Sequence, residues 1–178
     1  MATYRVKQGK HDYRPNKFWI KKGQHKFRYH VVMDENNVYD LVDEDQHDWN
    51  KGGGISNYLW SNFKMSCMWG FRFNKESNLF EHAGYFHRNG DVLYPGRGFD
   101  PTKIVSTDLG EHFIVDVVMK KSQMSVIFYD IQENVRETYE VDKPKHRKYS
   151  REIGSWFGGN ETAPRDLSFE MDIQRTKL

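Results

Sequence analysis

The densest group of residues able to do chemistry is a run of acids. Asp43-Glu44-Asp45-Gln46-His47-Asp48 places four carboxylates ahead of Trp49. Calcium takes several oxygen ligands, so Asp43, Asp45 and Asp48 are candidate ligands for such an ion. The spacing is not that of an EF-hand loop, and a solvated, mobile loop is the favoured reading. Gly52-Gly53-Gly54 follows. No lysine with a following serine or threonine completes a phosphate loop, and no helix is expected next. The glycines therefore read as a bend between strands or a disordered stretch. Histidines form a second set: His82 and His87 flank Tyr85 and Phe86, with His112 further on. Five residues apart on one strand, His82 and His87 face opposite sides and cannot be paired ligands. A third group is Tyr94-Pro95-Gly96-Arg97-Gly98. Its glycines free the backbone, and Arg97 offers a planar fork suited to carboxylate or phosphate.

Catalytic templates fit poorly. Sandwich glycanases of the laminarinase type set acids on one strand face as E-x-D-x-x-E. Glu170-Met171-Asp172 is the near match, and Arg175 stands where the last acid belongs. Alginate-lyase-like sandwiches use R-[ST]-E, Q-[IV]-H and Y-F-K-x-G-x-Y strands. Arg151-Glu152 and Gly84-Tyr85-Phe86-His87 are fragments of that set, without a Q-x-H. There is also no G-x-S-x-G elbow. The residues favour a non-enzymatic module, with no cofactor beyond the calcium candidate.

The elements that must position these groups are strands. Met65, Cys67, Trp69, Phe71 and Phe73 alternate with Ser66, Met68, Gly70 and Arg72, giving one apolar and one mixed face. Phe113 to Met119 and Met124 to Tyr129 repeat the pattern around a tight turn at Lys120–Gln123, and Val135–Val141 continues the meander. Leu167, Phe169, Met171 and Ile173 form a half-buried last strand, which needs a partner and so brings the two termini together. Asn89-Gly90 is a type I′ hairpin signal between Leu79–His87 and Asp91–Tyr94. Earlier strands are expected at Tyr4–Lys7, Lys17–Lys21, Lys26–Met33 and Val38–Val42. Roughly ten short strands and no helical stripe predict a single all-β domain over residues 1–178, a two-sheet antiparallel sandwich.

Composition bounds the partners. The chain of 178 residues is long enough to bury its own core. Its single cysteine, Cys67, excludes an internal disulfide and reads as a buried thiol. A net charge of +2, with acids and bases interspersed, argues against a nucleic-acid partner. The nearest basic run, Lys143–Arg151, reads as a solvated connection, with contact to phosphate, acidic glycan or a partner as the alternative. No apolar stretch is long enough to span a bilayer, and no signal peptide is visible at the N-terminus. Synthesis in the cytoplasm, with possible residence in a virion, is the expectation.

Ser155-Trp156-Phe157-Gly158-Gly159-Asn160-Glu161-Thr162-Ala163-Pro164-Arg165-Asp166 carries a resemblance. It is similar to the Y-F-G-G-N-x-x-A-P-x-D ending of small concanavalin-A-like jelly-roll proteins of bacteria and phages, some of them polysaccharide lyases or lectin-like modules. The resemblance implies the same sandwich, in jelly-roll form, and transfers no catalytic residue. Physically the stretch also reads as a turn device, through Gly158, Gly159, Asn160 and Pro164. Two uses compete for such a module. One is assembly with copies of itself or with virion proteins, as a phage decoration or fibre component, and this is slightly favoured. The other is glycan binding, with Trp60, Trp69, Tyr85 and Trp156 stacking on sugars and Arg97 and Asn160 holding hydroxyls. A polysaccharide lyase or glycoside hydrolase with a diverged site is the third expectation.

Overall fold

The computed structural model describes all residues except 17–18, 42–43 and 144–147. Among the described residues it is built from fourteen strands, numbered here along the chain. One sheet has the order β1 (Ala2–Val6), β14 (Leu167–Lys177), β3 (His25–Val32), β10 (His112–Met119), β11 (Gln123–Tyr129) and β12 (Val135–Asp142). The other runs β2 (Ile20–Lys22), β13 (Tyr149–Ile153), β4 (Asn50–Ser56), β5 (Met65–Asn74), β6 (Leu79–Arg88), β7 (Asp91–Pro95) and β8 (Gly98–Phe99), with β9 (Val105–Thr107) also on β6. Apart from the short β7–β8 pairing, neighbours are antiparallel. This is a two-sheet jelly-roll sandwich.

Period-two patterning explains the strands. β3 alternates buried and half-buried residues along its whole length, sending Phe27, Tyr29 and Val31 inward. From the facing sheet, β5 sends in Cys67, Trp69 and Phe71. Trp69 sits at the centre, with Phe113 at 6.1 Å edge-on and Tyr29 at 6.1 Å. β1 pairs with β14, so the termini do lie together. Lys120 N–H donates to Gln123 O at 2.9 Å in the expected turn. Asn89 (φ 55°) and Gly90 (φ 98°) both take the positive φ of the hairpin turn.

Three expectations need correction. The triple glycine is neither a bend nor disordered but part of strand β4. A side chain at Gly52 would meet the Trp69 ring at 2.1 Å, and one at Gly54 would meet Cys67 O at 2.2 Å. Glycine lets the indole lie against β4, and a bulge between Lys51 and Gly53 absorbs the extra residue. Val38–Val42 is not a strand over its described part: a short 3₁₀ turn at Glu35–Asn37 leads into irregular chain. The Lys143–Arg151 run is not simply a solvated connection. Lys143 is buried at 4% exposure, and Tyr149–Arg151 belongs to β13, hydrogen-bonded to both β2 and β4. Residues 144–147 of that run, and the start of the expected Lys17–Lys21 strand, lie outside the described residues.

Candidate functional site

The mixed faces of four neighbouring strands form one open groove. The ladder aligns Ile153, Gly54, Met68 and Tyr85 across β13, β4, β5 and β6, and beside them Arg151, Ser56, Ser66 and His87. Both rows lie on the side of the sheet away from Trp69, because side chains alternate. Gly54 has no side chain, so Met68 packs over it and closes the floor. The walls come from Asn62 and Phe63 on the β4–β5 loop and from Trp156, Gly158, Gly159 and Asn160. The groove encloses about 830 Å³.

The Trp156 wall is tied down by backbone. Lys51 and Trp156 exchange N–H···O bonds of 2.8 Å, and Phe157 N–H donates to His11 O at 2.8 Å. His11 stacks on the Trp156 indole at 4.7 Å between ring centres and 5° between planes. Trp156 lines the groove and stays 40% exposed. Gly158 takes φ 73° and its N–H donates to Asn50 Oδ1. A side chain at Gly159 would run into Asp48 Oδ2.

Four titratable groups of the groove, Lys51, Tyr85, His87 and Arg151, are shifted by burial. Lys51 Nζ donates to Trp49 O at 2.7 Å and sits 4.7 Å from the centre of the Tyr85 ring. Burial lowers the Lys51 pKa, with Asp48 opposing the shift, and burial raises that of Tyr85. His87 Nδ1 lies 2.8 Å from Ser66 Oγ, and its ring is 5.5 Å from Tyr85 and 5.1 Å from Phe63. Burial, then the Lys51 charge, takes its pKa down to about 4, so the imidazole is neutral at pH 7. If Ser66 donates to Nδ1, Nε2 carries the proton and donates; in the other tautomer Nε2 accepts. Arg151 donates from Nε to Tyr58 O at 3.1 Å and from Nη2 to Asn62 Oδ1, which braces the wall loop. Burial lowers its pKa, yet a guanidinium stays charged.

The residues singled out in the sequence fall in different places. Tyr85, Trp156 and Asn160 line the groove together. Trp69 does not: it is 0% exposed in the core and has no face to offer a sugar. Its position in the apolar register of β5 required that burial. Arg97 lies away from the groove lining, in a tight turn where Tyr94 and Arg97 exchange backbone bonds of 2.8 Å. Trp60 is 95% exposed and lines a second depression beside the groove. Asp43 lies outside the described residues, and Asp48 N–H donates to Asp45 O at 3.1 Å. Among the described residues no group of three or more His, Cys, Asp or Glu is placed to hold a metal ion.

Lys51 was missed because the glycines after it hid β4. His87 had a visible signal: at two residues from Tyr85 it shares that face. Tyr85 and His87 of the Gly84–His87 fragment and Arg151 of the Arg151-Glu152 fragment converge on this groove. The Glu170/Asp172 pair is exposed on β14, in the opposite sheet.

The sequence matches no protein family, and no curated protein is significantly similar to it. Solved structures share its fold. Alginate lyase from Klebsiella pneumoniae superposes with a TM-score of 0.57 at 12% identity, over 88% of this chain and 60% of that one. A functionally unknown protein from Saccharomyces cerevisiae gives 0.54 at 8% identity, over 97% and 86%. Alginate lyase A1-II′, a member of polysaccharide lyase family-7, gives 0.51 at 11% identity, over 91% and 66%. This chain therefore spans less than two thirds of either lyase. No helix among the described residues is long and apolar enough to cross a membrane.

Proposed function

We infer that the groove binds an acidic polysaccharide. The observation that carries this is one open channel in which exposed aromatic faces, Trp156 and Phe63, flank two desolvated cations, Lys51 and Arg151. Aromatic rings offer apolar faces to sugar rings, and cations in a partly dehydrated wall bind carboxylates more strongly than surface cations do. The shared fold with two alginate lyases and the resemblance of Ser155–Asp166 to lectin-like and lyase-like jelly rolls support the same reading. Self-association and a virion role draw no support from the groove or from these relatives.

The test is titration of the protein with sodium alginate and with a neutral glucan, read by tryptophan fluorescence and calorimetry. Saturable binding of alginate, lost in Lys51→Met, is expected. Equal binding of the neutral glucan, or alginate binding indifferent to Lys51→Met, would sink the idea.

A second reading, elimination of the bound polymer, is favoured by Tyr85, neutral His87 and Lys51 lying side by side. In such a step a base removes the proton on the carbon next to a uronate carboxylate. A carbon–carbon double bond forms, the adjacent glycosidic C–O bond breaks, and the leaving oxygen takes a proton. Tyr85 and His87 are the groups placed for these transfers, and Arg151 the cation for the carboxylate. Growth of ultraviolet absorbance from the new double bond, abolished in Tyr85→Phe, is the expected signature. A flat trace at high enzyme concentration would leave binding alone.

A further inference from the structure

We propose that the depression around Trp60 is a second binding site for an acidic glycan, taking the part of a chain that runs out of the groove; this rests on the reading of the groove above. The depression holds about 530 Å³ and is lined by Tyr58, Trp60, Lys64, Lys148 and Tyr149, among others. Trp60 is 95% exposed and Tyr149 40%. Lys64 Nζ lies 5.9 Å from the centre of the Tyr58 ring and Lys148 Nζ 5.5 Å from that of Tyr149. Among the described residues, both charged groups in the lining are cations, each beside an aromatic face. That pairing suits a ligand that is a ring with an acid on it, since the ring stacks while the carboxylate or sulfate meets the ammonium.

Continuity with the groove argues for one chain across both sites. Tyr149, Arg151 and Ile153 alternate onto the same face of β13, and the strand carries that face from the depression into the groove. From Tyr149 to Ile153 the path is about 13 Å, at roughly 3.3 Å per residue. The loop between β4 and β5 joins the sites from the other side: Tyr58 and Trp60 line the depression, Asn62 and Phe63 the groove. Arg151 braces this loop through Tyr58 O and Asn62 Oδ1, fixing the Trp60 platform relative to the groove wall. Trp60 is free of core packing, so its removal leaves the fold intact.

The experiment compares binding of short and long alginate oligomers to wild type, Trp60→Ala, Trp60→Phe and Lys51→Met by calorimetry, with thermal unfolding of each as a control. Wild type is expected to bind long oligomers more tightly than short ones. Trp60→Ala should weaken the long oligomers about three- to tenfold, the range of a lost aromatic contact, and leave the short ones unchanged. Trp60→Phe should keep most of the gain. If Lys51→Met abolishes binding at every length while Trp60→Ala leaves the long oligomers untouched, the groove reading stands and the second site falls. Equal weakening of short and long oligomers by Trp60→Ala also overturns it. Wild type binding no alginate at any length would overturn both.

Discussion

β6 carries two histidines that share a direction of titration and nothing else. His82 points into the sandwich, 4.3 Å from the Phe113 ring and 6.2 Å from Trp69, with Nε2 2.8 Å from Thr107 Oγ1. Burial takes its pKa to about 3, and Arg136 adds to the shift. His87 points the other way, into the groove, and burial takes it to about 4. Both imidazoles are neutral at pH 7. Only His87 has an open space in front of it and a lysine, a tyrosine and an arginine lining that space. A displaced pKa is thus a mark of burial first. It becomes a mark of function when access and convergent groups accompany it.

The sharpest way to break the contrast between core face and groove face is to truncate one indole on each. Trp69→Ala removes a fully buried ring and is expected to cost about 3–5 kcal/mol in urea unfolding. Trp156→Ala removes a half-exposed ring stacked on His11 and is expected to cost about 1 kcal/mol. Only the second should weaken alginate binding without first unfolding the protein. Comparable losses of stability would mean that the Trp156 wall is core rather than groove.

Acid sharpens the same contrast. An unfolded histidine titrates near 6.5, well above both folded values. Below that pH the unfolded chain takes up protons that the fold refuses, so stability falls as pH drops towards each folded pKa. The slope is at most about 1.4 kcal/mol per pH unit for each histidine, and the lower folded pKa of His82 carries its share further into acid. His82→Gln should flatten the acid limb of the stability curve. Saturating alginate should shift the histidine NMR signal of His87 and leave that of His82 in place. An unchanged acid limb in His82→Gln would show that other groups carry it.

How much of this was legible depended on side-chain type more than on exposure. The β5 alternation gave away the core, because Cys67, Trp69, Phe71 and Phe73 leave no other face to bury. The same alternation excluded Trp69 from any surface role, a consequence that aromatic identity obscured. β4 was hidden because Gly52, Gly53 and Gly54 carry no pattern, and strand propensity penalises glycine. The reason for Gly52 and Gly54 lies on the neighbouring strand β5, in the Trp69 ring and the Cys67 carbonyl. β13 was hidden by charge: Arg151 closes the basic run that reads as a solvated connection, while in the fold it braces the groove wall and its neighbour Glu152 pairs with Arg175 at 2.8 Å. The groove draws on five separate stretches of sequence, and only the register of the sheet shows that they meet.

Gly54 tests that register at the groove floor. Gly54→Ala sets a methyl against Cys67 O at 2.2 Å and Met68 Cγ at 2.6 Å. Neither a backbone carbonyl nor a buried side chain yields cheaply, and a cost of about 1–3 kcal/mol is expected, together with weaker alginate binding as the Met68 floor is pushed up. Binding unchanged in a destabilised Gly54→Ala protein would place the ligand away from this floor.

A small expected effect on stability belongs to the group with the largest expected effect on binding. Lys51 is held charged in a partly dehydrated wall, and burial lowers its pKa, so the folded state disfavours its charge. Lys51→Met removes that penalty and keeps the length of the side chain, at the loss of the bond to Trp49 O and the contact with Tyr85. These effects oppose each other, and the net change is expected to lie within about 1 kcal/mol of zero, as when other buried charges give way to apolar residues. A lysine kept there for packing would behave like Trp69, and its loss would show in the unfolding curve. A lysine kept there for a ligand leaves the curve where it was and removes the binding isotherm.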